Sequence, residues 1–277
     1  MLGGLAQLNL ELTSRCDKHT LCAFCGHQDP DIFPLLQFGD MDFGLLTSIR
    51  DQLPEGVTVQ FHRDGEPTVY PRLGEALDLF KTFTTSIVTH GENLGKRAHE
   101  IINRCTTVTV SVFRGDPDES KQLQSVKEFI YAKGRYAPNL FIKIVGEYPD
   151  NPWEGLGVPV IHRLIHVPGG NYKYAKAKPT IAETGVCLDY LHHPSVDWQG
   201  RVFICNRLDP DSKGYLGSLT EQSLAGIWGG ARRMEWLRAH QQMRRDLVPA
   251  CKDCSFWGVP SGLQPKESHK EIPMVTA

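Results

Sequence analysis

The sequence predicts an α/β fold, a partial (β/α)6 TIM-like barrel followed by a small C-terminal domain. Three observations carry that prediction. Apolar runs short enough for strands alternate with helical patterns over residues 1–168, and such alternation implies a parallel sheet with helices packed outside it. The residues with chemical character fall just after the strands, where the functional loops of a parallel barrel gather. From about Pro168 the alternation stops.

The elements follow in order. Leu8–Leu12 reads as the first strand, and Leu46, Ile49 and Leu53 step along one face of a helix. Val57–Phe61 is the second strand, followed by a helix on Leu73, Ala76, Leu77 and Phe80. Ser86–Val88 is the third, followed by a helix on Leu94, Ala98, Ile101, Ile102 and Cys105. Val108–Phe113 is the fourth, followed by a helix on Leu123, Val126 and Ile130. Leu140–Val145 and Val160–Val167 are the fifth and sixth. Six units are too few to close an eight-fold barrel, hence a partial one. Gly169, Gly170 and the Lys-rich stretch 173–178 read as a linker. Residues 169–263 then form the second domain, with short strands near Val196–Trp198 and Val202–Ile204 and a helix on Leu224, Ile227, Trp228 and Ala231. Residues 264–277 are a polar, loose tail.

At 277 residues the chain is long enough for a full core, and its formal charge of −2 argues against a general nucleic-acid or membrane-surface binder. No apolar run reaches bilayer length, and the N-terminus lacks the charged and apolar regions of a secretory signal. A cytoplasmic location and reduced thiols are therefore expected.

The eight cysteines are the strongest signal: Cys16, Cys22 and Cys25, then Cys105 alone, then Cys187, Cys205, Cys251 and Cys254. Cys22/Cys25 and Cys251/Cys254 are both CxxC pairs, and thiolates spaced in this way converge on one soft metal or cluster. Zinc fits this pattern as well as iron–sulfur does, with His27 available as a fourth ligand to the first set. Cys105 lies on an apolar helical stripe and reads as core. His192 and His193 read as a polar turn, and Arg232, Arg233, Arg238, Arg244 and Arg245 as a solvated helix face, with anion binding as the alternative.

Cys16-x5-Cys22-Ala-Phe24-Cys25 resembles the cluster loop of the radical SAM superfamily, whose commonest form is CxxxCxxC with an aromatic before the last cysteine; here the first gap is five residues. The resemblance implies a [4Fe–4S] cluster on Cys16, Cys22 and Cys25, with one open iron that chelates S-adenosylmethionine (SAM). Asp64-Gly65-Glu66-Pro67 is similar to the family's GGEP motif, with Asp in place of the first Gly. That motif implies that the loop backbone and Glu66 hold the methionine ammonium, whose three donors need acceptors. Thr89-His90-Gly91 resembles the family's TNG. Ser111 matches the serine that approaches the ribose, and Val145 in Ile144–Gly146 the stretch that packs near adenine.

Cys187, then Gly200 after twelve intervening residues, then Cys205 and finally Cys251-x2-Cys254 resemble the twitch form of the SPASM extension. It implies an auxiliary [4Fe–4S] cluster with every iron ligated. The resemblance as a whole implies an enzyme that reductively cleaves SAM to a 5′-deoxyadenosyl radical and abstracts hydrogen from a substrate, with an external one-electron reductant such as flavodoxin or ferredoxin. The four-cysteine layout is similar to that of aminocyclitol dehydrogenases, which points to oxidation of a small polar molecule, the auxiliary cluster taking an electron. A peptide maturase, a nucleotide- or base-modifying enzyme and a zinc-stabilised binding module without catalysis are the alternatives. By position, His62, Arg63, Arg114, Glu147 and Arg163 are the candidate substrate contacts.

Overall fold

Each predicted strand carries one apolar row and one mixed row, as a strand with two different environments must. In this computed structural model the apolar row (Leu8, Leu10, Val59, Phe61, Ile87, Val108, Val110, Ile142 and Ile144) is fully buried. It shares one core with Leu46, Ile49, Leu73, Leu77, Leu94, Ile101, Val126 and Phe129 of the helices. Burial of each such side chain contributes roughly 1.5–3 kcal/mol, which makes this seam the main adhesive of the fold. The structure describes residues 2–18, 25–146, 148–149, 151–163, 186–207, 209–252 and 254.

The strands are β1 (Gln7–Leu10), β2 (Thr58–Phe61), β3 (Thr84–Thr89), β4 (Thr107–Val112), β5 (Asn139–Val145) and β6 (Val160–Arg163). Between them lie α1 (Phe43–Asp51), α2 (Leu73–Leu79), α3 (Leu94–Ile101) and α4 (Glu119–Lys133). All five pairings among β1–β6 are parallel. Beyond them, β7 (Ser195–Val196) pairs parallel with β1, and β8 (Arg201–Phe203) and β9 (Tyr215–Ser218) follow antiparallel. The C-terminal strands thus extend the same sheet, in the order β6-β5-β4-β3-β2-β1-β7-β8-β9. The helices α5 (Leu188–His192), α6 (Leu224–Trp228) and α7 (Ala231–Gln241) complete the described residues.

Several expectations need correction. The first strand ends at Leu10 rather than Leu12, because the backbone beyond it pairs elsewhere: Met41 N–H donates to Leu12 O, and Ser14 N–H to Gly39 O. Cys105 is core but not helical. Ile102 leaves α3 with extended backbone, and the Cys105 thiol donates to the Thr107 carbonyl at 3.0 Å. The helix expected through Ala231 is two helices, broken at Gly229–Gly230.

The buried face of α4 is partly polar, with Gln122 and Ser125 beside Val126 and Phe129. The Gln122 amide donates to the His90 and Ser111 carbonyls, and Ser125 Oγ accepts from Gly95 N–H, so this helix seals the rim loops as well as the core. Arg233 and Arg245 are buried, not solvated. Arg233 stacks 3.4 Å from the Trp228 ring centroid and donates to the Trp228 and Leu191 carbonyls. The expected linker and tail lie outside the described residues, as do residues 164–167 of the expected sixth strand.

Candidate metal centres and active site

The chain leading into Cys16 is clamped from two sides. On one side Thr13 Oγ1 donates to the Gly39 carbonyl at 3.1 Å, and Gly39 N–H donates to Ser14 Oγ at 2.9 Å. On the other side Glu66 N–H donates to the Arg15 carbonyl at 2.9 Å. The contact needs a glycine at position 65: a Cβ there would lie 2.0 Å from the Thr13 carbonyl oxygen and 2.7 Å from Ser14 Cα. The Asp64–Pro67 loop and the first cysteine loop are therefore one packed unit. Cys25 belongs to it too: burial raises its thiol pKa, and Asp64 adds to the rise. Cys22 and Phe24 lie outside the described residues, as does Glu147.

Glu66 is 3% exposed and its carboxylate accepts four hydrogen bonds within the chain. Oε1 accepts from Thr68 N–H, Thr68 Oγ1 and Thr89 Oγ1, and Oε2 accepts from His90 N–H at 2.9 Å. Thr89 in turn accepts from Gly91 N–H. These two residues brace the rim loop from within.

Cys16, Asp17 and His90 bring their ligand atoms within 4.8 Å of one another, a trio not anticipated from sequence. Asp17 and His90 already bond each other at 2.7 Å, and Asn93 donates to the second Asp17 oxygen at 3.0 Å. Next in the chain, Lys18 is 1% exposed. Its ammonium pairs with Asp116 and with Glu92 at 2.8 Å, and Lys121 closes on the other Glu92 oxygen at 2.7 Å. The first residues of the long Cys16–Cys22 gap are thus tied to the loops that open α3 and α4.

Beside this unit a cavity of 240 Å³ opens between the loops after β1 and β2 and the β7–β8 turn. Four carboxylates line it, those of Glu11, Asp64, Asp197 and Asp209, and all four act on Arg63. The Arg63 guanidinium pairs with Asp64 at 3.1 Å and Glu11 at 3.6 Å and lies over the Phe203 ring at 4.4 Å. Glu11 accepts from Asp64 N–H and Trp198 N–H, so it bridges three loops. Burial pushes its carboxyl up to about 7, against the opposing pull of Arg63.

The mixed row of the strands faces the other way from the helices and lines the barrel interior. Ser111 on β4 pairs in register with Lys143 on β5, and Val145 pairs with Arg163 at the end of β6. His62 follows β2, and burial, with Lys143 and Arg207 adding, lowers its pKa to about 3. Burial, Arg163 and Arg207 likewise lower Lys143 to about 8. Arg207 belongs to the loop after β8, so the two halves of the sheet face each other across the interior, the curvature a partial barrel requires. Arg114 is exposed on the loop after β4. Sequence reasoning missed Lys143 and Arg207; a lysine between two strand isoleucines was the available signal.

The second cysteine set shares one cavity. Cys187, Cys205, Cys251 and Cys254 all line a space of 230 Å³. Cys187 caps the N-terminus of α5, Cys205 follows β8 with its carbonyl held by Ser195 Oγ at 2.6 Å, and Cys254 N–H donates to the Cys251 carbonyl at 3.2 Å. The hairpin that delivers Cys205 turns at Gly200, whose φ of +82° L side chains rarely adopt, and its Asp197–Gly200 turn is closed by a 2.9 Å hydrogen bond. Burial pushes the Cys187 thiol up to about 11 and Cys205 to about 12, and raises Cys251 further with its neighbouring thiols. A soft metal or cluster offsets that by binding the thiolates. Arg207, Lys213, Arg245 and Lys252 line the same cavity and supply positive charge opposite the four sulfurs. The donor set fits an all-thiolate cluster.

Residues 187–255 match the family model of SPASM, described as an iron–sulfur cluster-binding domain. BtrN in complex with AdoMet and 2-DOIA superposes with a TM-score of 0.61 at 18% identity, over 94% of this chain and 97% of that one. The protein has a radical SAM fold. This radical SAM fold also matches SuiB of Streptococcus suis bound to S-adenosylmethionine, with a TM-score of 0.53 at 12% identity, over 85% of this chain and 68% of that one. Both neighbours are radical SAM enzymes with a SPASM or twitch domain. No curated protein matches the chain. The likenesses bear out the fold class and the superfamily resemblance, and the SPASM match favours iron–sulfur over zinc at the four C-terminal cysteines. No helix among the described residues is long and apolar enough to cross a membrane.

Proposed function

We propose that this radical SAM fold oxidises a small polar substrate, with the auxiliary cluster accepting an electron. The observation that carries the reading is the placement of two thiol sets on one sheet: Cys16 and Cys25 beside the β1 and β2 loops, and four cysteines around one cavity after β8. Cys16, Cys22 and Cys25 would hold a [4Fe–4S] cluster with one iron open. When bound, that cluster and SAM together supply a 5′-deoxyadenosyl radical. The chain's own residues position and enclose. Gly65 lets the Asp64–Pro67 loop lie against the cysteine loop and offer backbone acceptors to the methionine ammonium. Glu66 and Thr89 brace that loop through each other, Thr68 and His90, and Glu66 Oε2, which accepts only one of these hydrogen bonds, would add a side-chain acceptor for the ammonium. Ser111 and Val145, on the interior row of neighbouring strands, would meet the ribose and the adenine.

Cys187, Cys205, Cys251 and Cys254 leave no iron open in a second [4Fe–4S] cluster, which suits electron transfer rather than substrate ligation. The electron for SAM cleavage would come from flavodoxin or ferredoxin, and we place the chain in the cytoplasm, where thiols stay reduced. Iron analysis of the anaerobically reconstituted protein tests the cluster assignment. Wild type is expected to hold about eight irons, and a variant with Cys16, Cys22 and Cys25 all changed to Ala about four. Zinc at both sites with no uptake of iron would reject the reading and leave a binding module.

A further inference from the structure

Lys143 is placed where a lysine is costly. It sits in the middle of β5 between Ile142 and Ile144, both fully buried against the helices, so its side chain belongs to the barrel interior. Its register partner on β6 is Ile161, which puts Arg163 at a diagonal position on the same face. From across the opening, His62 and Arg207 come within electrostatic reach of it. Among the described residues no carboxylate pairs with Lys143 or Arg163. The acids of this region are committed elsewhere: Glu11 and Asp64 to Arg63, Asp197 to Arg201, Asp189 to Arg207 and His193, and Asp209 to the Lys213 and Gly214 N–H groups. A part-buried cation without a counter-ion, as Lys143 is, is unfavourable unless something else supplies the negative charge.

We propose that the substrate carries an oxyanion, a carboxylate or a phosphate, that binds in the barrel mouth to Lys143, Arg163 and Arg207. Lysine and arginine around an oxyanion form charge-assisted hydrogen bonds, the strongest kind available to these side chains. The position separates this anion from the methionine carboxylate. Arg207 lines the four-cysteine cavity and Arg163 ends the last barrel strand, whereas the Cys16 loop is packed on the β1, β2 and β3 loops. The oxyanion would lie on the side of the opening nearer the auxiliary cavity. Calling the ligand a substrate rests on the radical SAM reading; calling it an anion does not.

The test is competitive labelling of the anaerobically reconstituted full chain. A short pulse of a neutral acetylating reagent at pH 8 is read by peptide mass spectrometry at Lys143, with exposed Lys127 as the internal control. Inorganic phosphate, citrate, chloride at matched ionic strength, and SAM alone are each titrated in. Phosphate or citrate is expected to slow labelling of Lys143 about tenfold at some nine times its dissociation constant, leaving Lys127 unchanged. Whichever of the two protects better distinguishes phosphate from carboxylate. Arg163→Gln, at an exposed position, is expected to weaken that protection. Equal labelling in chloride and in both oxyanions would overturn the proposal, and so would full protection by SAM alone, which assigns the lysine to the methionine carboxylate. Formation of 5′-deoxyadenosine is read in the same sample. Product without protection rejects the oxyanion site and keeps the radical SAM reading; protection without product rejects that reading and keeps an anion site.

Discussion

Lys18 lies inside the gap between Cys16 and Cys22, and its ammonium joins Glu92 and Asp116 out of contact with water. Burial alone would lower its pKa, yet the two carboxylates raise it, so it stays charged. Lys18→Met keeps the volume and removes the charge. Glu92 retains Lys121, but Asp116 loses its cation, and breaking a buried pair in this way costs about 3–5 kcal/mol. The expected result is a lower urea midpoint together with loss of N-terminal iron, while the auxiliary iron is retained. An unchanged midpoint and full loading would show that the triad does not hold the loop. Glu11 gives a second prediction at this scale. Its folded pKa, about 7, is above the ordinary value of 4.5, so the folded state holds its proton more tightly than the unfolded chain does. That contribution to stability is full below pH 4.5 and is lost as pH rises to about 7. Between about pH 5.5 and about pH 7.5 the urea midpoint should therefore fall more, or rise less, in wild type than in Glu11→Gln, because His62, whose lowered pKa favours the higher pH, titrates alike in both. Persistence of the full slope in Glu11→Gln would assign it to another group.

At the scale of elements, the fit of the Asp64–Pro67 loop onto Thr13–Ser14 is the contact on which the first site depends. Gly65→Ala would push a methyl against the Thr13 carbonyl oxygen, 2.0 Å away, with backbone on both sides and no flexible neighbour to yield. Reconstituted Gly65→Ala is expected to retain about four irons and to lose the rest, read by the same iron analysis. Full loading of this variant would mean that the two loops separate without consequence.

The period-two rows of β2, β4 and β5 were legible in the sequence because the two faces of each strand meet different environments. The cysteine spacings were legible because ligand geometry constrains them locally. The polar face of α4 was not, since Gln122 is buried only because two rim carbonyls, from His90 and Ser111, come to meet it. Arg233 misled for the same reason: its burial depends on Trp228 and on the Leu191 carbonyl, contacts that composition does not reveal. Cys105 was placed correctly as core and wrongly on a helix, because apolar spacing continues past Ile101 while the backbone turns at Ile102.

Across the whole molecule, a net charge of −2 conceals two separated fields. Four carboxylates crowd around Arg63 beside the first cysteine loop, and Lys143, Arg163 and Arg207 gather at the mouth nearer the second. The sheet makes that separation possible. By adding β7–β9 to the free edge of β1, the C-terminal segment sets its four cysteines on the same sheet whose β1 is followed by Cys16 and Cys25. Everything proposed for the two cysteine sets depends on the formation of a SAM-derived radical. It is tested most directly by measuring 5′-deoxyadenosine after the anaerobically reconstituted protein is mixed with SAM and dithionite. Wild type is expected to form 5′-deoxyadenosine, and the variant with Cys16, Cys22 and Cys25 all changed to Ala none above background. Equal amounts from both proteins, or none from a wild type carrying its full iron, would contradict it.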